Sequence, residues 1–140
     1  QPVYAYDVGG DKPRSLWKNE DVTSDVGTPL LYRGRLYVLG GKKREVSCHD
    51  PMTGRIIWRG ELPGRTYIRA SLTAADGKIY TVNAKGEAFC FAAGDQFRLL
   101  NHVSMGEDAY PTRSSIAIAH GNLFIRTADK LWCIGEQTTQ

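Results

Sequence analysis

Two arginines offer the sharpest chemistry in this sequence. Arg69, in Arg65-Thr66-Tyr67-Ile68-Arg69-Ala70-Ser71, and Arg113, in Asp108-Ala109-Tyr110-Pro111-Thr112-Arg113-Ser114-Ser115, lie 44 residues apart, each just ahead of an apolar run. A guanidinium presents a planar fork of donors that fits a carboxylate or phosphate bidentately, so an equivalent pair is an anion-binding arrangement. Tyr67 and Tyr110 occupy the same two segments and add flat amphipathic faces suited to a sugar or a peptide side chain. The plainer account is that each arginine pairs with a nearby acid such as Glu61, Glu107 or Asp108.

Three cysteines (Cys48, Cys90, Cys133) and three histidines (His49, His102, His120) invite metal or redox chemistry, but no Cys-x-x-Cys or His-x-x-x-His spacing is present to support it. The cysteines recur at steps of 42 and 43 residues. That regularity reads as one packed small position repeated in successive units, too far apart for the ~7 Å Cα reach of a disulfide. The histidines fall in a strand, an outer strand and a turn, and are read as structural or solvent-exposed. No metal or cofactor is expected from these residues.

The elements that would position them repeat. Arg33-Gly34, Asp76-Gly77 and His120-Gly121 each separate two apolar runs, at steps of 43 and 44 residues. A second marker moves with the first: Ala5, Cys48, Cys90 and Cys133 recur at steps of 43, 42 and 43. Self-similarity at such a period is the signature of a repeat architecture. The best copy reads as strands Thr28 to Arg33, Arg35 to Leu39, Glu45 to Asp50 and Arg55 to Leu62, rich in β-formers and punctuated by turns that end in glycine, as primed hairpin turns require. Continuous apolar runs such as Leu36-Tyr37-Val38-Leu39 predict sheets covered on both faces. Four-stranded antiparallel sheets with a period near 43 residues are blades of a β-propeller, so the fold class is all-β.

The segment Cys48-x-Asp50-x-x-Thr53-Gly54-x-x-x-Trp58 resembles the docking motif of the PQQ-like (quinoprotein-type) β-propeller repeat, which usually reads Ala-x-Asp-x-x-x-Gly-x-x-x-Trp. A first copy keeps Ala5, Asp7 and Trp17 with two extra turn residues, and a third is worn, with Cys90, Ala92, Gly94 and Leu100 in the motif places. The pattern has its own physics. A tryptophan on the outermost strand offers a broad apolar face to the next blade, a small residue lets the indole approach, and the aspartate accepts turn N–H groups. The junction after the third copy is therefore expected to be the weakest. The WD40 and kelch patterns fit less well, since no Gly-His or Trp-Asp pair occurs.

By these markers the chain divides into the end of a blade (1–24), a blade (25–66), a blade (67–108), a last blade lacking its outermost strand (109–136) and a tail (137–140). Thirteen strands make about three and a quarter blades, short of the ~4–8 that close a ring. The expectation is an incomplete ring: the C-terminal part of a larger propeller, entered at a third strand and ending naturally. The rest of that propeller, or another protein, would cover the open blade faces. The net charge of +3 and the short basic run Lys42-Lys43-Arg44 suggest a solvated turn and no nucleic-acid partner. No apolar stretch approaches the ~18 residues of a membrane span.

The resemblance implies a rigid, non-catalytic platform for binding or protein interaction, of a kind often exported in bacteria, so an extracytoplasmic location is expected from family likeness. One alternative is a fragment of a PQQ- and calcium-dependent alcohol or sugar dehydrogenase. Such enzymes hold calcium with carboxylates and an amide, and here Glu107, Asp108 and Asn101 are the nominees; the adjacent cysteine pair of many members is missing. A second alternative is carbohydrate or cell-wall binding through Tyr67 and Tyr110.

Overall fold

In a computed structural model of the chain, residues 1–136 are described; the expected tail over 137–140 lies outside them. Thirteen strands and one short 3-10 helix, Glu107–Ala109, form four antiparallel sheets among the described residues. β1 (Val3–Asp7) pairs with β2 (Arg14–Asn19). The second sheet runs in order through β3 (Leu30–Tyr32), β4 (Arg35–Gly40), β5 (Glu45–His49) and β6 (Ile56–Glu61), and the third through β7 (Thr73–Ala75), β8 (Lys78–Val82), β9 (Glu87–Ala92) and β10 (Leu99–Ser104). β11 (Ala117–Ala119), β12 (Asn122–Arg126) and β13 (Leu131–Gly135) make the fourth. Every strand pairs with its neighbour in sequence, which is the meander of a propeller blade.

The hairpin turns adopt the backbone their sequences demand. Arg33 and Gly34 have φ of 48° and 72°, and both Asp76-Gly77 and His120-Gly121 have 51° and 74°. Positive φ at both central residues is the primed turn whose twist matches that of the flanking strands. The sheets stack face to face over one apolar core that includes Tyr37, Val46, Cys48, Ile79, Phe89, Phe91 and Ile125, with a smaller cluster of Val3, Val22 and Val38 under the first hairpin.

Most of β4, β5 and β8 is buried, as continuous apolar runs require, whereas β10 is exposed along its whole length and β2 and β13 along most of theirs. The difference between the outer strands β6 and β10 has a cause at the sheet interfaces. The indole Nε1 of Trp58, on β6, donates to Gly94 O at 2.8 Å, and its ring lies 5.4 Å from Phe97, 6.0 Å from Tyr37 and 6.4 Å from Phe91. Trp17, on β2, donates in the same way to Pro51 O at 2.9 Å, and its ring covers Gly54, where a Cβ would come within 2.5 Å of it. Each tryptophan stands across the ladder from a small residue, Ala5 or Cys48. Asp50 Oδ1 accepts the Met52 and Thr53 amides at 2.8 and 3.2 Å, and Asp7 Oδ1 accepts that of Gly9 at 2.9 Å.

One expectation is corrected here. Counting along the sequence puts Leu100 in the third tryptophan place, but a bulge recurs at the same point of each outer pair, skipping Leu16, Ile57 and Leu100. The residue across from Cys90 is therefore Asn101. The bulge is common to all three copies, so the shift comes from the turn: seven residues, 92–98, separate Phe91 from its partner Leu99, where six, 50–55, separate His49 from Ile56.

Candidate functional site

The segments 62–72 and 105–116 connect the outer strand of one sheet to the first strand of the next. Backbone bonds fix both to the turn between the second and third strands of the preceding sheet: Ile68 N–H donates to Gly41 O at 3.0 Å, and Thr112 N–H to Ala84 O at 2.8 Å. The approach is so close that a Cβ on Gly41 would lie 1.9 Å from Ile68 O. Ile68 and Thr112 are buried, which turns Arg69, Tyr110 and Arg113 to solvent with Tyr67 half-buried beside them.

These four side chains come together. The Arg69 guanidinium lies 5.1 Å from the centre of the Tyr67 ring, a cation–π distance. The Tyr67 phenol pushes the Tyr110 phenol above its ordinary pKa, while the positive charges of Arg113 and Arg69 pull it the other way. Glu61 pairs with Arg44 at 2.8 Å, and among the described residues no carboxylate lies within ion-pair distance of Arg69 or Arg113. The local acids therefore leave both guanidinium forks open, and the patch can take an anionic group against two aromatic faces.

A feature of the same face went unnoticed in the sequence. The Thr28 amide donates to Ser71 Oγ at 3.0 Å and the Ser71 amide to Ser115 Oγ at 2.9 Å, forming a seam from sheet to sheet just ahead of the innermost strands. β7 and β11 approach one another beside it. The signal was the hydroxyl residue at steps of 43 and 44 ahead of each first strand.

The other nominated residues are kept apart. Burial lifts the Cys48 thiol to about 11 and raises that of Cys90 as well, so neither is an activated thiol. All three cysteines are free. His49 is buried between Gly54 O and Ser47 Oγ, at 3.0 and 2.8 Å. His102 stacks on Phe89 at 4.7 Å and lies 3.3 Å from Glu87, and His120 is in a positive-φ turn. Among the described residues no group of three or more His, Cys, Asp or Glu side chains is placed to hold a metal ion. Glu107 and Asp108 are exposed in the 3-10 helix, and Asn101 sits on β10 at the interface of the third and fourth sheets.

The family model described as outer membrane protein assembly factor BamB matches residues 1–138. The chain belongs to this family of PQQ-like β-propeller proteins. Solved structures share the fold at low identity. BamB from Moraxella catarrhalis is 17% identical with a TM-score of 0.61, over 82% of this chain and 34% of that one. A quinohemoprotein alcohol dehydrogenase, ADHIIG from Pseudomonas putida HK5, is 20% identical with a TM-score of 0.62, over 75% and 17%. The computationally designed Ika4 protein is 16% identical with a TM-score of 0.65, over 87% and 74%. No curated protein sequence matches the chain. The chain spans about a third of the length of the BamB structure and under a fifth of the dehydrogenase. This PQQ-like fold is therefore common to an assembly factor and to enzymes, and the fold alone does not choose between them. Among the described residues no helix is long and apolar enough to cross a membrane.

Proposed function

We propose that this PQQ-like segment is a rigid, non-catalytic platform that works without a bound cofactor and binds another protein of the bacterial envelope. Tyr67, Arg69, Tyr110 and Arg113 form the contact surface. The observation that carries this reading is the pair of guanidiniums with no acidic partner among the described residues, held beside two phenols on loops fixed by backbone bonds to the sheets. The description of the family as an outer membrane protein assembly factor supports an extracytoplasmic place and a protein as partner. In this reading Ala5, Asp7, Trp17, Cys48, Asp50, Gly54 and Trp58 are the structural docking residues that keep the platform rigid, and further propeller or another protein covers the open sheet faces.

A labelled extended peptide carrying two neighbouring carboxylates is the test ligand. Its affinity should fall about tenfold or more in the Arg69→Ala/Arg113→Ala variant, given ~1.5–3 kcal/mol for hydrogen bonds to charged groups, and should weaken as salt is raised. Unchanged affinity in that variant would remove the arginines from the site. The exposed Tyr110 beside Tyr67 favours glycan binding as a second reading. Neutral oligosaccharides that bind wild type and lose affinity in Tyr67→Ala/Tyr110→Ala, with the arginine variant unaffected, would establish it in place of the first.

A further inference from the structure

A cleft of about 340 Å³ opens between the third and fourth sheets, with Tyr80, Cys90, Leu100, Asn101, Leu123 and Ile134 among its mostly apolar walls. Three of the walls are counterparts of ones that hold Trp58 one interface earlier, while the places of Gly94 and Phe97 fall at 137 and 140, outside the described residues. Around that indole stand Tyr37, Phe91 and, across the ladder, Cys48. One repeat on, the same places carry Tyr80, Ile134 and Cys90, and the place of the indole itself falls to Asn101.

Asn101 does not occupy the space. Its Oδ1 accepts the His102 amide at 2.8 Å, so the side chain folds back on its own strand. The bulge beside it is retained, and the backbone presents this position as it presents Trp17 and Trp58 in the other copies. The cleft is thus continuous with an interface already formed by the core, and the repeat itself supplies the chemistry of its occupant. At both preceding interfaces that occupant is a tryptophan whose N–H meets a backbone carbonyl and whose ring lies against the next sheet.

We propose that the cleft between the third and fourth sheets binds a tryptophan side chain of a partner polypeptide, in the place that Trp58 fills within the chain at the previous interface. The aromatic ring gains by burying a large flat apolar face between Tyr80 and Ile134. The site is separate from the arginine–tyrosine patch, so either can fail without the other.

N-acetyltryptophanamide is the probe, with N-acetylleucinamide as the aliphatic control. Calorimetry on the chain should show saturable binding of the tryptophan derivative with a dissociation constant of ~1 mM, the scale expected of a small ligand with few contacts. The leucine derivative should bind several-fold more weakly. Asn101→Trp places an indole of the chain's own in the cleft and should weaken the probe at least about tenfold. In the wild-type chain the probe should also slow alkylation of Cys90, on the wall, without changing that of the exposed Cys133, a readout independent of any variant. Absence of saturable binding, equal binding of the leucine derivative, equal binding by a folded Asn101→Trp, or an unprotected Cys90 would each overturn the proposal.

Discussion

His49 shows how a residue that suggests catalysis is used as structure. Its ring bridges Gly54 O and Ser47 Oγ inside the second sheet, and burial holds its pKa below the ordinary 6.5. Above 6.5 the imidazole is neutral in the folded and unfolded chain alike, and the stability it contributes is fully present. As pH falls through 6.5 the unfolded chain takes up a proton that the folded one resists, so stability declines until the lower folded value is reached. Urea midpoints across that window should fall with pH in the wild type and fall less in His49→Gln; parallel curves would mean another group titrates. That His49 is structural could be read from its lone position in a strand. Its two partners could not, because they depend on the register of β5 and on the path of the following turn.

At the scale of the strand and its turn, the energetics concentrate on the two indoles. Trp58→Ala removes a ring packed against Tyr37, Phe91 and Phe97 and leaves a void between sheets, which should cost about 3 kcal/mol in urea unfolding. Asn101→Ala, at the equivalent place one sheet later, should stay within about 0.5 kcal/mol, since an exposed side chain bonded to its neighbouring amide has little to lose. Equal losses at the two positions would contradict this account of the interfaces. The hairpins were legible because Arg33-Gly34, Asp76-Gly77 and His120-Gly121 can each accept the positive φ of a primed turn. The identity of the third counterpart was not legible, because the turn ahead of β10, over 92–98, is one residue longer than the turn over 50–55 ahead of β6.

Over the whole molecule, burial predicts where the chain opens first. Amides of β4, β5 and β8, at the centre of the core, should exchange with solvent last, and those of the β1–β2 hairpin, which rests on a smaller cluster, should exchange first. Hydrogen exchange read by mass spectrometry checks this; uniform protection would show a single cooperative unit instead. The four-sheet architecture could be read from the period because each repeat buries its faces against its neighbours. The arginine–tyrosine patch was legible only in part: equal spacing placed Arg69 and Arg113 at equivalent loops, but that Glu61 turns to Arg44 depends on side-chain placement that spacing does not give. The seam of Thr28, Ser71 and Ser115 has a consequence for assembly. At each step the nitrogen belongs to the earlier sheet and the oxygen to the later one, so the seam is vectorial, with a giving side and a receiving side. A twofold axis would bring like against like, two amide donors at one end of the seam or two hydroxyl oxygens at the other. Any added sheet that extends the seam must therefore join head to tail, turning in the same rotational sense around the axis.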